Sequence, residues 1–276
     1  MELWTSFALK SRARQLLRGR WVPYLAVTLL FSLIGSLVDE LLPLLLPDYN
    51  AVIGEFLVLY EEAMLSGNLG MITPGNPLLQ KVYLYTGISA AANAVFQVLV
   101  LNVLLIGFLR WMMEARLGQP RISMLFSGFF NGAQWRNVAG IGLYTDIIRT
   151  LLLMLFLVPG IIYGYRIWLV PYLLAENPYI PRTRAIELST ALTEGEKMRI
   201  FMLELSFIGW TFLAGALNGI CSLIAPALGT VIGFIFSLFI TAYQFTAFAE
   251  LYAHMREKAF HMGITDPTEL AGFAVE

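Results

Sequence analysis

Charge is scarce in this chain of 276 residues: 13% of its positions are Asp, Glu, Lys or Arg, against roughly a quarter in soluble domains. With 58% apolar residues and a mean hydropathy of +0.70, the composition excludes an ordinary water-soluble domain and points to a membrane protein. Cysteine is almost absent. Cys221 alone excludes an internal disulfide, a CxxC motif and a cysteine-based metal cluster. Histidine is nearly as rare, and His254 and His261 both fall near the C-terminus, so neither a helical zinc motif nor a Ser/His/Asp triad can be built in the apolar region. The GEK at 195–197 lacks the spacing of a phosphate loop. The expectation is therefore no catalytic residue, no cofactor, no metal and no enzyme activity. Nucleic-acid binding is not expected either, because the basic residues flank apolar runs rather than covering a soluble domain.

Long apolar runs are what the sequence does have. A helix needs about 20 apolar residues to cross roughly 30 Å of hydrocarbon. On that ruler, candidate spans lie near 21–38, 91–109, 137–158, 161–175, 200–220 and 228–253. The basic residues before Trp21 resemble a secretory signal, but the apolar run is long enough to span and no small-residue cleavage site follows, so it reads as a retained span. The third and fourth runs joined would make a helix of about 39 residues, near 58 Å, almost twice one crossing. Pro159 lacks an amide donor and disfavours helical geometry at Val158, and Gly160 permits turn angles. Pro159 and Gly160 are therefore expected to form a turn between two spans.

Charge placement agrees. Short cytoplasmic loops collect Lys and Arg. With six spans and both termini inside, the inner segments hold Lys10, Arg12, Arg14, Arg18 and Arg20, then Arg110, Arg116, Arg121 and Arg136, then Arg182, Arg184, Lys197 and Arg199, then Arg256 and Lys258. Lys81 alone lies outside. A mere kink at Pro159 would strand Arg182, Arg184, Lys197, Arg199, Arg256 and Lys258 on the outer face. The expected fold is all-α and polytopic, with six transmembrane helices in one membrane domain over 1–260 and a short tail over 261–276. An outer loop over 39–90 carries an apolar stretch, AVIGEFLVLY, suited to the membrane surface, and a turn at MITPGNP.

Three inner segments, 2–20, 120–136 and 181–199, mix basic and apolar residues at helical spacing and lead into spans, as Leu3, Phe7, Leu16 and Leu17 show in the first. They read as amphipathic interfacial helices. The last two share a Ser, Gly, Arg order (Ser127, Gly132, Arg136; Ser189, Gly195, Arg199), which suggests a repeating unit or simply the common flanking of spans by basic helices.

Some residues do not belong in lipid. Asp146 and Arg149, three apart on one helical face near mid-membrane, can pair or can serve a function. Arg166 has no acid in its own span and can snorkel outward or reach Asp146. Glu204, Thr211, Gly215, Asn218 and Ser222 form a polar stripe on the fifth span, answered on the sixth by Gly229, Gly233, Ser237, Thr241 and Gln244. Such small-residue stripes pack helices together or line a polar pathway. Gln97, Asn102 and Glu250 fit either role. Tyr163, Tyr165, Trp168 and Tyr172 read as interfacial anchors.

The stretches LKSRARQLLRGRW, IGFLRW, ARLGQPRISMLFSGF, VPGII with LAENP, and above all ELSTALTEGEKMRIFMLELSFIGW make the chain resemble the bacterial integral membrane proteins catalogued as domain of unknown function 975, over roughly 9–258. Where that family has Pro followed by an aromatic residue, Pro226 is followed here by Ala227. The resemblance implies a multi-pass protein of the bacterial plasma membrane with no established activity. It is also distantly similar to the membrane part of some glycerophosphodiester phosphodiesterases, without their soluble catalytic domain. The expected function is a non-enzymatic scaffold or accessory component acting through membrane lipids, or through a protein partner at the cytoplasmic helices. The alternative is a small permease or exporter component with Asp146, Arg149 and Arg166 on a polar pathway. Oligomeric state is left open.

Overall fold

The structure, a computed structural model, describes residues 4–46 and 48–270; Leu3 and residues 271–276 of the expected tail lie outside them. The described residues are helical without strands. In order they form α1 (Ser6–Leu17), α2 (Trp21–Gly35), α3 (Leu37–Leu45), α4 (Tyr49–Ser66), α5 (Pro77–Phe96), α6 (Asn102–Glu114), α7 (Gly132–Leu155), α8 (Leu157–Arg166), α9 (Val170–Glu176), α10 (Arg182–Thr193), α11 (Lys197–Ile224) and α12 (Pro226–His261). A π-turn over Gln97–Leu101 joins α5 to α6, and a 3-10 helix over Ile122–Phe129 precedes α7. Six helical runs are long and apolar enough to cross a membrane: Trp21–Leu45, Pro77–Glu114, Gly132–Leu155, Leu157–Glu176, Lys197–Ile224 and Pro226–His261.

The chain divides into two compact units, Ser32–Leu101 and the remainder, where the sequence suggests a single domain. The first holds residues 39–90, expected as an outer loop, and these form helical structure in α3, α4 and α5. Its signals are local. Asn76 caps α5, its side chain accepting the Leu78 amide at 2.9 Å, and Pro77 occupies the first turn, where a missing N–H costs nothing. Asn93 donates to Asp39 at 3.0 Å across α5 and α3, and the rings of Tyr49 and Tyr85 stack at 6.0 Å.

In the larger unit α6 is deeply buried, and its Val103, Leu104, Phe108, Leu109, Trp111, Met112 and Met113 are all at most 1% exposed. Gly107 and Gly128 let α6 and the 3-10 helix touch backbone to backbone, since a Cβ at Gly107 would collide with the Leu125 carbonyl. Toward its C-terminus α12 buries one face, with Ala242, Ala247, Leu251, Met255 and Ala259 all at 0% exposure, whereas its first half exposes Leu228, Val231, Phe234, Ile235 and Phe239. The amphipathic faces expected at an interface are used inside the protein. Leu9, Ala13 and Leu17 of α1 and Ala185, Leu188 and Leu192 of α10 are 0–2% exposed, although Phe7 stays out at 75%.

Buried acids are paired with cations. Glu176 accepts from the Tyr252 hydroxyl at 2.5 Å and from Arg256 at 2.7 Å. Glu250 pairs with Arg116, and Glu196 with Lys258 at 2.9 Å and Arg199 at 3.3 Å. Arg184 grips Glu269 with two bonds of 2.7 and 2.8 Å and also donates to the Ile264 carbonyl at 2.9 Å, so 262–270 is docked rather than a loose tail. The Arg184 hydrogen bond holds the Glu269 carboxyl below its usual range. Burial opposes that and the Thr265 hydroxyl assists it.

The turn between α7 and α8 is not at Pro159 and Gly160. It falls at Phe156, whose extended backbone (φ −147°, ψ 101°) ends one helix and starts the next. Pro159 sits in the first turn of α8, where amides lack helical partners anyway, so it starts a helix instead of breaking one. Gly160 is buried against α7, and a Cβ there would lie 2.7 Å from the Leu153 nitrogen.

Two stability predictions follow. Gly160→Ala should lower stability by about 1–3 kcal/mol through overpacking, while Pro159→Ala should shift it by less than about 1 kcal/mol; thermal unfolding in detergent ranks the two, and equal losses would return the turn to Pro159 and Gly160. Arg116→Met leaves the Glu250 carboxylate buried without its cation and should cost about 3–5 kcal/mol. Arg110→Met, at the more exposed pair with Glu114, should cost about 0.3–0.5 kcal/mol in the same assay.

Candidate functional site

Pro171 breaks the apolar run that begins at Leu157. It has no N–H to offer the Ile167 carbonyl one turn back, and its ring crowds that carbonyl, so α8 ends at Arg166 and α9 starts at Val170. The exposed backbone is satisfied locally. The Val170 amide donates to the Ile167 carbonyl at 3.0 Å, and Ser189 of α10 donates its hydroxyl proton to the Arg166 carbonyl at 2.8 Å while accepting the Leu169 amide at 3.2 Å. Both halves of the α8–α9 break are thus tied to one buried serine.

The break turns its aromatic residues toward α11. Tyr165 donates to Oε2 of Glu204 at 2.5 Å, and the Trp168 indole N–H donates to Oε1 at 2.7 Å. Tyr172 stacks between Trp168, at 5.3 Å, and Tyr252, at 5.4 Å. Its buried hydroxyl has no hydrogen-bond partner among the described residues. Tyr165, Trp168 and Tyr172 are therefore wall residues of a cavity, not the interfacial anchors that the sequence suggests.

That cavity has a volume of about 580 Å³, within the size range of small-molecule sites. Asp146, Arg149 and Glu204 line it, with apolar walls from Leu105, Leu109, Leu153, Ile161, Phe201, Phe245 and Phe248. Asp146 accepts from the Asn102 amide at 3.0 Å, in space left by Gly142. Arg149 lies along Gly164, its Nε 3.4 Å from where a Cβ would stand. Gly164 is eight residues, about 12 Å, from the hairpin tip at Phe156, so the Arg149 side chain meets α8 well away from the turn. Among the described residues, Arg149 makes no ion pair or hydrogen bond, and Asp146 is not its salt-bridge partner.

The remaining candidates lie elsewhere. Arg166 is exposed and donates to the Thr190 hydroxyl at 2.8 Å, away from Asp146. Asn218 accepts from Ser222 at 3.1 Å and packs against Gly229 and Gly233, where added Cβ atoms would clash, so this end of the polar stripe serves helix packing. Gln244 is half-buried and lines neither cavity described here. Glu250 belongs to the Arg116 pair. Tyr172, Ser189 and Pro171 are what the sequence reading misses; only Pro171, a proline inside an apolar run, carries a local signal.

The molecule is thus an all-helical chain with membrane-length apolar helices around a charged, aromatic-walled cavity. The chain belongs to the DUF975 family, described as a protein of unknown function, which matches residues 1–259. No curated protein and no solved structure matches it.

The break gives a direct prediction. Ser189→Ala removes both bonds to the α8–α9 backbone and should cost about 1–3 kcal/mol. Hydrogen exchange at 166–170 should rise well before the rest of the protein opens; unchanged protection there would remove Ser189 from this role.

Proposed function

We propose that the chain is a multi-pass plasma-membrane protein with both termini on the cytoplasmic side, and that it acts as a non-enzymatic accessory component by binding a lipid-like amphiphile in the Arg149 cavity. Orientation rests on basic residue placement: Lys and Arg crowd the ends assigned to the cytoplasm, and Lys81 is the exception. The observation that carries the ligand reading is Arg149 itself. An arginine at membrane depth is costly unless its charge is met, and Arg149 has no partner among the described residues while facing a cavity of ligand size. Asp146 and Glu204 already accept from Asn102, Tyr165 and Trp168. An anionic group on Arg149, with a polar atom on the Tyr172 hydroxyl and an apolar chain along Leu153 and Ile161, would satisfy what the protein leaves open.

The permease reading keeps one specific support, the interrupted helix at 167–169, because transporters place substrates at such breaks. Docking of a protein partner on α1 and α10 draws less support, since their apolar faces are already buried.

Native mass spectrometry of the full chain released from its own membrane tests the proposal. Wild type and Arg166→Gln should carry a bound amphiphile, and Arg149→Gln should lose it at least tenfold. Equal retention by Arg149→Gln would refute the cavity ligand.

A further inference from the structure

A second concavity, of about 470 Å³, lies where α1 meets α11 and α12, and its character differs from the first. Its charged lining is Lys10 and Arg14, one turn apart on α1, and none of its lining residues is acidic. Its walls are aromatic, including Trp21, Phe207, Trp210 and Phe239. The Lys10 ammonium donates to the Ser206 carbonyl at 3.0 Å and sits 4.3 Å from the centre of the Phe207 ring, which fixes it at the rim. The Tyr243 hydroxyl donates to the Lys10 carbonyl at 3.2 Å and holds α1 in place. Burial, and then the neighbouring Arg14, keep the Lys10 ammonium below its usual range, as expected for two cations sharing a site with no counter-ion.

The aromatic wall itself reaches the surface, since Trp210 is 48% and Phe239 40% exposed. The site therefore has a cationic end and an apolar end that opens onto the surface a bilayer would cover. Trp21, which rests on Phe239 at 5.2 Å, is the first residue of the first membrane-length run, so the cations stand at the level where lipid headgroups begin.

We propose that this concavity binds an anionic glycerophospholipid, its phosphate between Lys10 and Arg14 and an acyl chain along Trp210 and Phe239. The assignment rests on the membrane placement proposed above but not on the ligand of the Arg149 cavity. The charge chemistry alone would also accept free phosphate; the adjoining apolar wall selects the lipid.

The test uses the full chain in vesicles, with tryptophan fluorescence quenched by brominated phosphatidylglycerol or brominated phosphatidylcholine. Wild type should prefer the anionic lipid about tenfold or more, since each interfacial cation contributes about fivefold. Arg14→Gln, which removes the Arg14 contacts to the Lys10 carbonyl at 3.4 Å and to Tyr243, should lower the preference about fivefold, and Trp210→Phe should remove part of the quenched signal. Arg14→Gln should lower the preference by the same factor in an Arg149→Gln background, which separates this site from the other cavity. An unchanged preference in Arg14→Gln, equal quenching by both lipids, or loss of the Arg14 effect in the Arg149→Gln background would each overturn the proposal. Abolition of the preference by excess inorganic phosphate would overturn the lipid as ligand.

Discussion

The Ser189 hydroxyl reaches two backbone groups at once, the Arg166 carbonyl and the Leu169 amide, and so satisfies backbone on both sides of the break that Pro171 imposes. Irregular backbone at membrane depth persists only where protein or a lined cavity satisfies it. Pro171 makes the break obligatory, and Ser189 makes it tolerable. From that pair the remaining geometry follows. The break aims Tyr165 and Trp168 at Glu204, sets Tyr172 between Trp168 and Tyr252, and leaves the space that Arg149 faces.

The cavity also breaks the pattern of charge pairing set by the rest of the molecule. Glu176, Glu196, Glu250 and Glu269 each meet a Lys or Arg side chain, mostly from distant sequence. Asp146 and Glu204 are instead held by neutral donors, and Arg149 beside them has no ion-pair partner among the described residues. A protein selected for stability alone would gain by closing an Asp146–Arg149 pair, since an uncompensated charge in a low-dielectric region is expensive. Arg149 lies along Gly164 instead, and the proposed ligand reading rests on that arrangement.

Much of the fold was legible from composition and length. Apolar runs mark all six membrane-length helices, and two near 140 and 200 were bounded to within a few residues. What escaped was non-local or depended on a side chain's neighbours. Pro159 and Gly160 look like a turn in isolation, yet a proline in a helix's first turn and a glycine under a neighbouring helix are indistinguishable from one in sequence. The helices within 39–90 were hidden by their acidic residues, although Asn76–Pro77 announced one of them. Asp146, Arg149 and Glu204 stood out because ionisable residues are rare in apolar runs. That they share one cavity while Arg166 and Asn218 do not depends on the hairpin register, which no spacing rule encodes.

The central claim is that Arg149 meets an anionic group supplied by a bound amphiphile. A high-resolution electron cryomicroscopy map of the full chain in nanodiscs of its own membrane lipids addresses it directly. The account predicts elongated density in the cavity, with its polar end within hydrogen-bond distance of the Arg149 guanidinium and its apolar end along Leu153 and Ile161. An empty or water-filled cavity with Arg149 turned into an ion pair with Asp146 would contradict it.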